Sequence, residues 1–214
     1  MKINWLGACS FLIQDSLGRR IILDPIDLEF TKEIMKLNPK IIMITHEYDT
    51  TISTYLSEIK QTYFNKLSNY SIESFSMNTY SSYHDNHQGL KRGNNIIYNF
   101  TFDNINFCTL GHLGHDLNYD IIDKIKNVDI LFIPIGGHLT IDGYEATKIV
   151  KKINPKIVIP MYYKYKDSLI YLDNIKNFLF SIKYKEVENL ETFNFKKLNN
   201  TKTKIILLTP TNNL

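Results

Sequence analysis

Six histidines stand in this chain of 214 residues, and each falls at or just beyond the end of a stretch that reads as a strand. His46 follows "IIMIT", His84 and His87 follow "SSY", His112 and His115 follow "FCTLG", and His138 follows "ILFIPIGG". Imidazoles scattered by chance would also fall on helix faces and in the C-terminal tail. Strand-end loops are where α/β architectures place ligands and chemistry, because the strands fix positions while the loops vary. Taken singly, each histidine reads as a hydrogen-bonded structural side chain. Taken together they point to a shared site. Convergent imidazoles suit metal chemistry: Zn²⁺ accepts neutral histidine nitrogens, and a catalytic centre uses about three protein ligands plus a position for a water that ionises near neutral pH. His46, His84 and His112 are the three candidates for such a centre.

Other side chains near these strand ends could take part. Asp49 and Asp85 are candidates for a general base, or for orienting a histidine. Tyr48, Tyr98, Tyr162 and Tyr163 could line an aromatic pocket, with His84, His112, Arg92 and Lys164 facing an anionic or polar ligand. His115 and His138 read equally as pocket-lining or surface residues. Lys164 sits in "YYKYKD", and such a run is most often a solvated face. Cys9 and Cys108 form no CxxC spacing and read as buried thiols in a reducing compartment.

The elements that must carry these residues follow from pattern. "KINWL", "SFLIQD" and "RRIILDP" read as strands, and "KIIMITH" as a strand covered on both faces. "FTKEIMKLNPK" has helical spacing and ends at Asn38-Pro39, and "TISTYLSEIKQTYFNKL" is expected to form another helix. "NNIIYNFTFDNINFCTLGH" reads as a hairpin turning at Asp103-Asn104. The second half alternates helix and strand: "DIIDKIKN", "VDILFIPIGG", "IDGYEATKIVKKINP", "KIVIPMYY", then a helix over "YLDNIKNFLFSI" and late strands near "TFNFKKL" and "KTKIILLTP". Strand-rich then alternating segments predict two packed sheets with helices outside, in one domain spanning residues 1–214.

Composition narrows the partners. With 14 Tyr, 12 Phe and a net charge of only +3, the chain is built to fold, and it carries no basic stripe for a nucleic-acid polymer. No window approaches a membrane span and the N-terminus lacks a signal-peptide pattern, so a cytoplasmic protein is expected.

The order of these motifs is recognisable. "INWLGACSFLI", "RRIILDP", "IIMITH", "SYHDNHQGLKRGNNIIYNF", "LGHLGH", "VDILFIPIGGHLTIDGYEA" and "NPKIVIPMYYK" together resemble the metallo-β-lactamase superfamily, in its small ascorbate-phosphate-lactonase-like branch of zinc-dependent hydrolases. The resemblance implies a four-layer αββα sandwich with the site along one edge of the two sheets. It also implies self-association as a homo-oligomer, although no stretch specifies an interface. In that family the strand matching "IIMIT" leads into HxHxDH. Here only His46 matches; Tyr48, Thr50 and Thr51 stand at the other ligand positions, and a slip of one residue would put Asp49 on the aspartate. His84 matches a retained ligand, His112 stands where the family has a bridging aspartate, and Tyr162 stands where it has a final histidine. Ala8 replaces a further histidine near the start. The resemblance therefore leaves two expectations. One is a non-catalytic protein binding a nucleotide or sugar phosphate at a dismantled metal site. The other is a mononuclear His46–His84–His112 zinc enzyme acting on an ester, lactone or phosphodiester. The cofactor is accordingly none or one zinc ion.

Overall fold

The computed structural model of the chain describes residues 1–47, 50–72, 74–166, 171–183, 186–195 and 202–211. Three antiparallel strands open it: β1 (Lys2–Gly7), β2 (Ser10–Gln14) and β3 (Arg20–Leu23). Helix α1 (Leu28–Met35) then reverses the chain, so that β4 (Ile41–Met43) runs parallel to β3. Asp27 caps α1 by accepting the Phe30 N–H, the expected role of a carboxylate at a helix start. Helix α2 (Thr51–Glu58) leads in the same way to the two-residue strand β5 (Tyr63–Phe64), parallel to β4. The helix expected over residues 51–67 is therefore cut to its first two turns. Lys60 turns left-handed at φ 54°, and Tyr63–Phe64 gains ladder bonds on β4.

An antiparallel meander follows: β6 (Tyr70–Ile72), β7 (Phe75–Tyr83), β8 (Asn94–Phe102) and β9 (Ile105–Thr109). Asp103 and Asn104 both take positive φ, 53° and 60°, as a two-residue hairpin turn of right-handed twist requires. The chain then alternates: α3 (Tyr119–Lys124), β10 (Ile130–Pro134), α4 (Gly143–Ile153), β11 (Ile157–Met161), α5 (Lys176–Ile182), β12 (Val187–Leu190), β13 (Phe193–Asn194) and β14 (Lys204–Leu208). The helix read over "YLDNIKNFLFSI" begins only at Lys176.

Two sheets result, ordered β13-β1-β2-β3-β4-β5 and β12-β14-β11-β10-β9-β8-β7-β6. Phe11 of the first meets Phe132 of the second at 4.6 Å between ring centroids, so the main core lies between the sheets. On the outer side of the first sheet, Ile22 and Ile42 pack with Ile34 of α1 and Leu56 of α2. The second sheet is covered by α4, whose Ala146, Ile149, Val150 and Ile153 are buried, and α4 packs against α5. These are the expected four layers. Among the described residues no helix is long and apolar enough to cross a membrane.

Candidate functional site

His46 lies three residues past β4, His84 directly after β7, and His112 three residues past β9, so the first sheet supplies one imidazole and the second sheet two. Their rings meet. The centroid of His46 is 4.6 Å from that of His84 and 5.7 Å from that of His112, and His84 and His112 are 5.0 Å apart. The Tyr162 ring, from the residue after β11, stands edge-on to His112 at 5.1 Å.

Two of the three rings, those of His46 and His112, are braced from behind by an oxygen. His46 Nδ1 lies 2.7 Å from the Asn94 carbonyl, which makes that nitrogen the donor. The His84 side chain is fully buried. His112 Nδ1 lies 3.3 Å from Thr45 Oγ1, and Thr45 donates its hydroxyl to Asp24 Oδ2 at 2.8 Å and its N–H to Asp24 Oδ1 at 2.6 Å. Asn95 completes the frame. Its Oδ1 accepts the His112 N–H at 2.8 Å, while its Nδ2 donates to Ser82 Oγ and to the Leu110 carbonyl. Gly111 is required here: it sits at φ +56°, and a Cβ would come within 2.4 Å of Thr45.

Burial sets the charge state. Desolvation, and then the neighbouring imidazoles, lower the pKa of His112 far below the ordinary histidine value. The same causes bring His84 to about 4. Desolvation also lowers His46, against an opposing pull from the Asn94 carbonyl. At neutral pH the cluster is therefore three uncharged imidazoles. Asp24 moves the other way: burial raises it to about 7 despite the two Thr45 hydrogen bonds. Cys9 is likewise raised by burial and then by Asp24, so it is a core thiol and no nucleophile.

Hydroxyls stand at the remaining positions where the family resemblance implies ligands. Thr50 and Thr51 start α2 and are exposed, and Thr50 makes no side-chain cap. Tyr162 is buried with φ 52°, a left-handed backbone uncommon for an aromatic residue; its N–H donates to the Ala8 carbonyl. Gly136 packs so closely there that a Cβ would fall 2.1 Å from the Tyr162 carbonyl oxygen.

This donor set does not fit a two-ion centre, because neutral hydroxyls are poor zinc ligands beside imidazole or carboxylate. Three imidazoles sharing one tetrahedral zinc would place their ring centroids about 5 Å apart, which the observed spacings match. Yet no group of three or more His, Cys, Asp or Glu among the described residues is arranged to hold a metal ion as it stands. Centroid spacing is the coarser criterion of the two, since it ignores where the nitrogens point.

Two cavities flank the cluster. One, of about 270 Å³, reaches from Ala8 and Asp24 to His46, His112 and Tyr162. The other, of about 510 Å³, lies across His46 toward Lys91 and Arg92.

Several candidates stand elsewhere. Asp85 is no general base: its carboxylate accepts the backbone N–H groups of His87, Gly89, Lys91 and Arg92 at 2.7–3.0 Å. Desolvation pushes its pKa up, and the four donors outweigh it, holding it well below the usual carboxylate range. His115 Nε2 accepts the Tyr83 N–H while Nδ1 donates to the Asp116 carbonyl, which uses both nitrogens structurally. His138 contacts Asp173 and Tyr171 and lines neither cavity. Lys164 also lines neither cavity; its N–H donates to the Asp173 carbonyl. Tyr98 is a core residue whose hydroxyl bridges to the carbonyls of Ile44 and Phe64, and Tyr163 stacks on Trp5. Tyr48 and Asp49 lie outside the described residues. Glu47, Thr45 and Asn95 were not singled out from sequence. Only their bonds to residues distant along the chain reveal them.

Residues 2–162 match a family described as "Beta-lactamase superfamily domain". A UPF0173 metal-dependent hydrolase of Thermococcus kodakarensis is 25% identical over 194 residues, covering 76% of this chain and 84% of that protein. Another UPF0173 metal-dependent hydrolase, from Methanosarcina mazei, is 24% identical over 199 residues, covering 76% and 83%. A crystal structure of a metallo-β-lactamase superfamily protein from Thermotoga maritima superposes with a TM-score of 0.73 at 22% identity, covering 97% of this chain and 99% of that one. This last likeness speaks to the fold alone.

Proposed function

The chain belongs to the metallo-β-lactamase superfamily, and on that premise we propose that it is a small-molecule-binding protein in which a metal-dependent hydrolase scaffold has been kept and the family's two-ion chemistry has been lost. One observation carries the reading. Tyr162 occupies the strand end where the family resemblance implies a histidine ligand, and it is buried there in a left-handed backbone conformation, braced by Ala8 and Gly136. Its backbone is fixed, and its side chain lines the first cavity beside His112. Three uncharged imidazoles and a phenol offer both hydrogen-bond donors and acceptors, which suits a polar group of a ligand.

A second reading rests on the ring spacing and on the oxygens behind His46 and His112, since ligating histidines commonly donate their other nitrogen to such a partner. In it His46, His84 and His112 would hold one ion, which supplies an activated water for hydrolysis, as the relatives' names suggest. The two readings separate in a thermal-shift screen of the full chain. Small organic anions should raise the melting temperature in the presence of chelator, and His112→Ala should abolish only a rise that zinc causes. If only zinc stabilises the protein and no organic compound does, the binding reading is wrong and the one-ion reading takes its place.

A further inference from the structure

The two cavities beside the imidazoles differ in character. Away from the polar centre, the first is walled by Pro25, Ile26, Leu28, Ile44 and Ile52. The second presents Lys91, Arg92, Asn65 and Asn94. His46, Glu47 and Ile44 line both, so one molecule lying across His46 would meet an apolar lobe on one side and a basic lobe on the other.

The acidic residues nearby offset part of that lobe's charge, but their oxygens are committed to other donors. Glu47 accepts the Ser53 N–H with one oxygen and the Asn65 amide with the other. Asp85 is saturated by four backbone donors, two of them the N–H groups of Lys91 and Arg92 themselves. Among the described residues neither Lys91 nor Arg92 forms an ion pair. Arg92 is held at the cavity by a bond from Nη2 to the His138 carbonyl at 3.1 Å, which leaves its other N–H groups for a ligand.

We infer that the site takes a short-chain organic anion, with an alkyl or acyl chain in the first cavity and its phosphate or carboxylate against Lys91 and Arg92. The inference rests on the small-molecule reading above and narrows it. The wall of Ile26, Leu28 and Ile52 favours an alkyl chain over sugar hydroxyls, which would find partners only at the Asp27, Glu47 and Thr51 edge of this cavity. Each methylene that leaves water for this cavity should tighten binding about fourfold. The anionic head gains charge-assisted bonds from the guanidinium.

The test is calorimetric titration of the full chain, in chelator, with n-butyl phosphate, pentanoate, inorganic phosphate, n-butanol and glucose 6-phosphate. At least one of butyl phosphate and pentanoate should bind tenfold or more tighter than inorganic phosphate and n-butanol, and the better head group identifies the anion. Glucose 6-phosphate should bind no tighter than inorganic phosphate. Ile26 is 48% exposed, so Ile26→Ser should fold and reduce the advantage of the chain without weakening phosphate. Arg92→Gln should weaken every anion about tenfold. Equal affinity for butyl phosphate and phosphate, or tighter binding of glucose 6-phosphate, would overturn this inference and leave the small-molecule reading standing. Failure of every compound to bind would overturn both.

Discussion

The imidazole side of the rim and its hydroxyl side stand on neighbouring strand ends of one scaffold, yet they are held in different ways. His46 and His112 are tied to oxygens from other elements, through Asn94 and the Thr45–Asp24 pair, and His84 is fully buried. Thr50 and Thr51 stand exposed at the start of α2, and the Thr50 side chain does not cap it. Tyr162 is the exception on that side, fixed through its backbone. On the reading proposed above, the framework around the family's metal positions is kept while the donors on one side of it are replaced. Selection on the fold and selection on the chemistry act on separate residues.

If that contrast is real, substitutions should divide along it. The largest effect belongs to Gly111→Ala, which puts a Cβ within 2.4 Å of Thr45 in a left-handed backbone. A loss of about 3 kcal/mol in chemical denaturation is expected, because both backbone and neighbour must move. Thr45→Val removes the hydroxyl between Asp24 and His112 while keeping the shape, and should cost about 1–2 kcal/mol by the same measurement. Tyr98→Phe, which unties β4 and β5 from β8, should cost a similar amount. On the hydroxyl side, Thr50→Ala should change stability by less than about 0.5 kcal/mol, since no cap bond is lost. A Thr50 effect as large as that of Thr45 would erase the contrast.

Acid should sharpen the same comparison. The histidines have lowered pKa values in the folded chain, so their contribution is present above the ordinary value of 6.5 and is lost as pH falls toward about 4 for His84. Asp24 opposes them. Its folded pKa of about 7 lies above the unfolded 3.8, so its contribution is full below 3.8 and is lost as pH rises through 7. With three groups against one, the melting temperature should fall between pH 7 and pH 4.5, and Asp24→Asn should steepen that fall. Thermal melts across that range check both the sign and the effect of the variant.

Much of this was legible in the sequence, for reasons particular to each part. The hairpin at Asp103-Asn104 announces itself because few residue pairs accept two positive φ values. His46 and His138 could be placed because continuous apolar runs stop just before their loops. What stayed hidden depends on partners far along the chain. The strand Tyr63–Phe64 exists through its pairing with β4, and Phe193–Asn194 joins the opening sheet through β1. Neither partner is written in local periodicity. Asp85 looked like a base because a carboxylate beside a histidine suggests one; only the fold shows the four N–H groups that it organises. Asn95 carried no signal at all, since its task is to join Ser82, Leu110 and His112.

Elemental analysis of protein purified without chelator reads the metal content of the rim outright. Well under one equivalent of zinc, iron or manganese per chain is expected, with a melting temperature that chelator leaves unchanged. Two tightly held ions per chain, or a single ion whose removal lowers the melting temperature, would contradict the binding reading.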